Sequence, residues 1–305
     1  MIRNNEYISL TELQERQRIE DRKTKRIIGK VCPFLVYGLL SFVVLNIIFI
    51  FLPFESLYKP LWLVIMLCMM TVYFVSSIVF SYYMACNTHP GSPRKRLGTP
   101  VCYYCKGYKP SGAHHCNVCE TCILNMDHHC VFINSCVGAQ NHRYFIQFLG
   151  FLSIACLLFV IFTWRTFYYN VVDYLLGSGK RSFCAQEKLF FVSWRDTLCY
   201  SNYLVAIPVA IVFLLCLQIF AFAGFLFWQN FSMISFGILY IESLKSDKKS
   251  SLQMYLWPFG APNFTKNWRN FLGLHFGRRF WSHILLPSTH KPFFHEEYTP
   301  PMCNL

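Results

Sequence analysis

The sequence predicts an all-α membrane protein: four transmembrane helices, with a small cysteine-rich domain set between the second and the third. Three observations predict it. Of 305 residues, 54% are hydrophobic and only 14% are charged, with a mean hydropathy of +0.34, whereas charged residues normally supply about a quarter of a soluble chain. Four segments are long and apolar enough to cross a bilayer, which takes about 20 residues. Seven of the 15 cysteines fall between Cys102 and Cys136, mixed with histidines, a pattern of metal ligation rather than of disulfides. The same composition excludes a disordered, collagenous or coiled-coil chain, and 31 Phe with 18 Tyr suit membrane interfaces. The net charge of +13 is too dispersed to indicate a nucleic-acid partner.

Taken in order, residues 1–33 are a polar N-terminal segment, and 34–82 hold the first two spans, Phe34–Leu52 and Leu61–Tyr82. Residues 83–143 form the cysteine-rich domain. Residues 144–228 hold the spans Tyr144–Thr163 and Leu204–Trp228 around an outer loop, 164–203, and residues 229–305 are a tail. No Asp, Glu, Lys or Arg lies inside any span. The first is no signal peptide, because a long polar segment precedes it and no small-residue cleavage site follows. Residues 1–33 carry eight Lys/Arg against five Asp/Glu, 83–143 six against two, and 229–305 eight against four. The turn Pro53–Pro60 has one of each, and the outer loop five against three. By the positive-inside rule both termini and the cysteine-rich domain are cytosolic. The run Arg22, Lys23, Lys25, Arg26 suits an anionic cytoplasmic leaflet, or simply stops the helix at the interface. Cys184 and Cys199 share the outer loop and are candidates for a disulfide.

The loop CYYCKGYKPSGAHHCNVCETCILNMDHHCVFINSC, from Cys102 to Cys136, has no long apolar run and cannot build a core of its own. Cys102/Cys105 form one CxxC knuckle, and Cys116/Cys119/Cys122 form two overlapping ones. Such knuckles aim two sulfurs at one ion, and structural zinc takes four thiolate or imidazole ligands. Two sites would consume six cysteines and two histidines, leaving one cysteine and two histidines over. A disulfide cluster is disfavoured in the reducing cytosol, and an iron–sulfur cluster prefers cysteine ligation throughout. Spacing alone does not settle which cysteine is spare. Cys130 is the candidate because it sits in Asp127-His128-His129-Cys130. Adjacent side chains on a strand point to opposite faces, so if His129 turns to a metal, His128 is free. A free imidazole beside a free thiol, oriented by a carboxylate, is the equipment of nucleophilic catalysis. Composition alone leaves open that Asp127 and His128 only support the metal.

These residues resemble the DHHC-type protein S-acyltransferases, whose cysteine-rich domain lies in a cytosolic loop between the second and third of four spans. The resemblance is carried by Cys102-x2-Cys105, Lys109-Pro110, His115-Cys116-x2-Cys119-x2-Cys122, Asp127-His-His-Cys130, Asn134, Cys136-Val-Gly138 and Asn141. It implies a hairpin-rich domain stabilised by two structural zinc ions, Cys102, Cys105, His115 and Cys122 holding one and Cys116, Cys119, His129 and Cys136 the other, with His114 a bystander. It further implies that Cys130 takes a long-chain acyl group from fatty acyl-CoA, with His128 as base and Asp127 orienting it, and passes the acyl group to protein substrates at the cytosolic face that carry membrane-proximal cysteines. Residues such as Lys106, Lys109 and Arg143 would then attract the CoA phosphates, or simply be solvated. The acyl chain would lie among the spans, with Ser153, Ala155 and Cys156 as a small-residue patch that either bounds it or only packs closely. The expected location is a multi-pass protein of the endomembrane system (Golgi or endoplasmic reticulum) or plasma membrane.

In the tail, Asn267-Trp268-Arg-Asn-Phe271-Leu-Gly273 resembles the family's C-terminal motif, whose Asn and aromatic residues tie the tail to the active domain. Read without the family, residues 267–287 suit the membrane interface. The chain also departs from the pattern. Val131 and Phe132 replace the usual Pro-Trp after the cysteine, Gly112 replaces an Arg, and no Thr-Thr-x-Glu follows the fourth span, where only Ser232 to Ser235 or Glu242 stand. Two other classes compete. A membrane-anchored RING-type ubiquitin ligase needs a closing CxxC pair, but only Cys130 and Cys136 are on offer. A non-catalytic zinc-containing adaptor retaining the fold is the stronger alternative, since Val131-Phe132 would suit weakened activity.

Overall fold

Lipid offers the backbone no hydrogen-bond partners, so isolated apolar segments cross it as helices. The computed structural model describes residues 10–93, 100–177, 179–186, 194–201, 203–238, 241 and 252–290. Among these described residues are four helices long and apolar enough to span a membrane. Helix α1 (Leu10–Asn46) passes Pro33 and continues through a wider turn, Ile47–Phe51, to Ser56. Helices α2 (Leu61–Asn87), α3 (His142–Phe167) and α4 (Tyr203–Phe236) complete the bundle. All four outrun the apolar stretches that mark them in the sequence. Hydropathy registers only the part in contact with lipid, while helical hydrogen bonding continues into polar residues at either end.

Between α2 and α3 stand two antiparallel hairpins of three-residue strands: β1 (His114–Cys116) with β2 (Thr121–Ile123), and β3 (His128–Cys130) with β4 (Ser135–Val137). Asn141, fully buried, joins this module to the bundle. Its Oδ1 accepts from the Gly138 N–H at 2.9 Å, and its Nδ2 donates to the carbonyls of Cys136 at 2.8 Å and Ala85 at 3.2 Å. From the other side, α1 reaches out of the bundle. The Arg26 guanidinium donates to the Val118 carbonyl at 2.9 and 3.1 Å, and Arg22 and Arg26 both pair with Glu120.

At the far end of the bundle the turn Pro53–Pro60 carries a buried charge. Glu55 is 2% exposed. Its carboxylate pairs with Lys59, one turn on, and accepts from Thr166 Oγ1 at 2.5 Å and the Thr166 N–H at 3.3 Å, while Lys59 Nζ also donates to the Phe162 carbonyl at 2.6 Å. A buried carboxylate is tolerable only when its lone pairs are so occupied. Beside it Phe183 is fully buried against Phe54, its N–H held by Asn170 Oδ1 at 2.7 Å. The neighbouring Cys184 is bonded to Cys199, as their shared loop suggests.

The tail packs back on the bundle. Helix α5 (Phe264–Phe271) sends Asn267 Nδ2 to the Ser235 carbonyl at 2.8 Å and Trp268 Nε1 to Ser235 Oγ at 2.9 Å. A short helix, α6 (Phe280–His283), precedes residues that lie against the middle of α2 and the second turn of α3, where Tyr73 donates to the Leu285 carbonyl and Gln147 to that of Ile284. Glu242 and residues 291–305 lie outside the described residues.

Candidate active site and metal clusters

The hairpin register dictates where each ligand points. Residues directly opposite on paired strands face the same way. His115 lies opposite Cys122, and His129 opposite Cys136, so each hairpin presents an imidazole and a thiol side by side. CxxC turns complete each set. The N–H of Cys105 points at Cys102 Sγ (3.5 Å) and that of Cys119 at Cys116 Sγ (3.4 Å). The residue after each pair, Lys106 and Glu120, takes the same left-handed conformation (φ 55° and 56°). Neither is glycine, so the left-handed position after each CxxC knuckle is not announced by the sequence.

The structure thus gathers Cys102, Cys105, His115 and Cys122 into one cluster and Cys116, Cys119, His129 and Cys136 into another, the ligand atoms of each within 4.8 Å of one another. In the second, His129 Nδ1 lies 3.7, 3.4 and 3.5 Å from the sulfurs of Cys116, Cys119 and Cys136. A tetrahedron with bonds of about 2.0–2.3 Å has edges of roughly 3.5–3.8 Å. Both clusters can therefore hold a metal ion, and the three-thiol, one-imidazole donor set with no open position fits a structural tetrahedral site. The sets interleave: His115 and Cys122 of the first hairpin serve one cluster, while Cys116, at the end of β1, and Cys119, in the turn, serve the other.

Alternation along β3 sends His128 and Cys130 away from the metal side of His129. His128 Nδ1 donates to Asp127 Oδ2 at 2.7 Å. Its ring lies edge-on to Phe145 at 5.5 Å between centroids. Burial opposes the charged ring, but hydrogen bonds to Asp127 and Cys130 outweigh it and raise the His128 pKa to about 9. Asp127 (6% exposed) and Cys130 (7%) are buried. Behind Asp127 lies a smaller polar recess of about 310 Å³, lined by His142, Asn230, Asn267 and Phe271 among others. His142 bonds Asn230 (3.3 Å) and stacks edge-on with Phe271. The tail thus reaches the neighbourhood of Asp127 through Phe271, while its Asn267 and Trp268 grip α4.

His128 and Cys130 open onto an apolar cavity of about 510 Å³ among the four spans, within the range of small-molecule sites. Along α3 its wall runs from Phe145 to Thr163, about 27 Å at 1.5 Å per residue, and Glu55 lines its far end. Two expectations change here. Of the small-residue patch, Ala155 and Cys156 line the cavity, but Ser153 turns to α4 and bonds its own helix at the Leu149 carbonyl. The cavity continues past the patch. Arg143 is 1% exposed, its guanidinium engaged by Tyr144 Oη (2.5 Å), the Ser288 carbonyl (3.0 Å) and His290, so it fastens the tail and is not offered to a phosphate. Sequence reasoning also missed Tyr82 (1% exposed), whose hydroxyl donates to the Phe132 carbonyl at 2.7 Å. A lone Tyr near the end of an apolar span carries no signal of such a contact.

Comparison with known proteins follows the same residues. Residues 95–247 match the family model described as DHHC palmitoyltransferase. The chain is 33% identical to Palmitoyltransferase ZDHHC16 of Homo sapiens over 226 residues, covering 70% of this chain and 60% of that protein. It is 32% identical to Palmitoyltransferase ZDHHC16A of Danio rerio over 305 residues, 88% of this chain and 77% of that protein. Palmitoyltransferase PFA3 of Yarrowia lipolytica is 25% identical, over 62% of this chain and 45% of its own length. The match to the human relative thus spans about three fifths of that protein. A four-span bundle with paired Cys/His clusters between its second and third spans, together with these matches, identifies the chain as a member of the DHHC palmitoyltransferase family.

Proposed function

We propose that this chain is a protein S-acyltransferase that moves a long-chain acyl group from acyl-CoA to cysteine thiols of other proteins, through a thioester on Cys130. One observation carries the reading: Cys130 and His128, with Asp127 behind them, stand at the mouth of an apolar cavity within the membrane spans. Both reacting groups of the first step have a place there. His128 takes the thiol proton of Cys130, the sulfur attacks the thioester carbonyl, and CoA departs with that proton. A substrate thiol then gives its proton to His128, attacks the acyl carbon, and Cys130 leaves as the thiol. Asp127 keeps Nδ1 protonated so that Nε2 faces the sulfur. The donor's chain buries apolar surface at about 0.8 kcal/mol per methylene, so donor and acceptor meet at the membrane surface.

The two clusters would hold zinc, Cys102, Cys105, His115 and Cys122 binding one ion and Cys116, Cys119, His129 and Cys136 the other. Bound zinc would supply folding free energy to a module whose own apolar cluster is small, Ile123 and Met126 packed with Cys116 and Cys136. The charge distribution supports a cytosolic location for the module and both termini, and the Cys184–Cys199 disulfide on the opposite side suits an oxidising compartment. The protein would then act in the endomembrane system or plasma membrane on substrates with membrane-proximal cysteines, in contact with membrane lipids and without a nucleic-acid partner. The hydrogen-bonded pair of Asp127 and His128, with Cys130 on the same apolar cavity, favours the enzyme over a non-catalytic adaptor. The test is mass spectrometry of the purified chain after incubation with palmitoyl-CoA. A hydroxylamine-sensitive acyl adduct on Cys130, absent from Cys130→Ser, supports the reading; its absence from the wild type overturns it.

A further inference from the structure

The turn that follows the nucleophile is gripped from two membrane helices. Cys130 forms the last pair of its hairpin, with Ser135, and residues 131–134 make the turn. The Asn134 N–H reaches the Val131 carbonyl at 3.3 Å, and Asn134 takes a left-handed φ of 51°. From α2, the Tyr82 hydroxyl donates to the Phe132 carbonyl at 2.7 Å. The Tyr82 ring is itself wedged between Phe148 (5.0 Å) and Tyr37 (5.3 Å). From α1, Gly29 lies so close that a Cβ built there would sit 3.0 Å from Asn134 Cγ and closer still to its Oδ1. Ile133, 1% exposed, packs in the same cluster as Tyr82 and Cys130.

In chains of the usual pattern a proline after the cysteine would fix the backbone there by its ring. Val131 supplies no such restraint. We propose that Tyr82 is a positioning residue for acyl transfer, and that its hydroxyl, with Gly29 on the opposite flank, holds the 131–134 turn and hence the Cys130 sulfur in place of that proline. The inference rests on the acyltransferase reading. The bond is a single hydrogen bond, but its donor Tyr82 is 1% exposed and anchored on a membrane helix, so it fixes where the strand ends relative to the cavity mouth. Misplacement of a reacting atom by about 1 Å costs on the order of 100-fold in rate.

The experiment is single-turnover acylation of the full-length protein in detergent by palmitoyl-CoA, with bound zinc measured on each variant. Tyr82→Phe keeps the ring and its packing and removes only the hydroxyl. It is expected to slow acyl-enzyme formation about 10- to 100-fold, with the concentration of palmitoyl-CoA giving half-maximal rate unchanged and zinc unchanged. Adding Val131→Pro to Tyr82→Phe should restore most of the rate, whereas a hydroxyl serving only stability would not be replaced by a backbone restraint at 131. Gly29→Ala, which pushes on the turn from the other flank, should slow the same step. Wild-type rates in Tyr82→Phe, a change confined to the half-maximal concentration, loss of zinc, or failure of Val131→Pro to rescue each overturns the proposal. A wild-type chain that forms no acyl-enzyme overturns the acyltransferase reading as well, and so the two failures are told apart.

Discussion

Two neighbouring histidines are chemically identical and structurally opposed. His129 Nδ1 faces three sulfurs, while His128 Nδ1 faces a carboxylate. His129→Ala should therefore lose bound zinc and thermal stability together, whereas His128→Ala keeps zinc and slows acyl-enzyme formation by about 10²–10⁴-fold, the usual worth of a general base. Elemental analysis beside a single-turnover assay checks both, and reversed zinc contents would falsify the assignment. The pH response follows from the sign of the shift. The His128 pKa stands at about 9, above its ordinary 6.5. Its hydrogen bonds to Asp127 and Cys130 therefore add stability that is fully present below about pH 6.5 and declines as pH rises through 9. In thermal unfolding, the gap between wild type and Asp127→Asn should be widest below pH 6.5 and narrow towards pH 10; a gap that widens with pH would contradict the assignment.

Among the elements, the hairpins and the spans were legible in the sequence to different depths. The spans declare themselves because an apolar run of that length has few alternatives in water or lipid. The ligand sets were narrowed by spacing to six cysteines and two histidines, but spacing alone did not choose among them; strand register does, by placing His115 opposite Cys122 and His129 opposite Cys136. What stayed hidden depends on distant chain segments: the Glu55–Lys59–Thr166 network, the burial of Arg143, and Ser153 turning away from the cavity. Gly138 is of this kind. A Cβ there would lie 2.6 Å from Ile123 Cγ2 and 3.0 Å from the Pro90 carbonyl, a close approach between loops that no local pattern reveals. Gly138→Ala should lower the melting temperature and loosen the join to α3, and an unchanged melting curve would show that the loops yield. Ala155, by contrast, faces the cavity, about 15 Å along α3 from Phe145 at 1.5 Å per residue. Ala155→Phe should shift acyl-enzyme yield from eighteen-carbon towards fourteen-carbon donors, read by competition and mass spectrometry; an unaltered ratio would remove Ala155 from the wall.

For the whole molecule, orientation is the first question, since the chemistry proposed for Cys130 needs cytosolic acyl-CoA. Leu176, 76% exposed at the far end of the bundle, is a suitable probe. In sealed microsomes a cysteine placed there should resist an impermeant maleimide until detergent is added, and immediate labelling would invert the topology. The interleaving of the two clusters has a consequence for how the protein responds to scarcity. Because one hairpin gives His115 and Cys122 to one cluster and Cys116 and Cys119 to the other, loss of an ion from either would loosen ligands of both. Zinc uptake by the stripped protein should be cooperative, with a Hill coefficient above 1. A chelator should then divide a population into fully loaded and empty molecules, with few carrying a single ion. Native mass spectrometry during chelation would show this directly. Under such control, zinc supply would set how many competent molecules a membrane holds, while leaving the competence of each one unchanged.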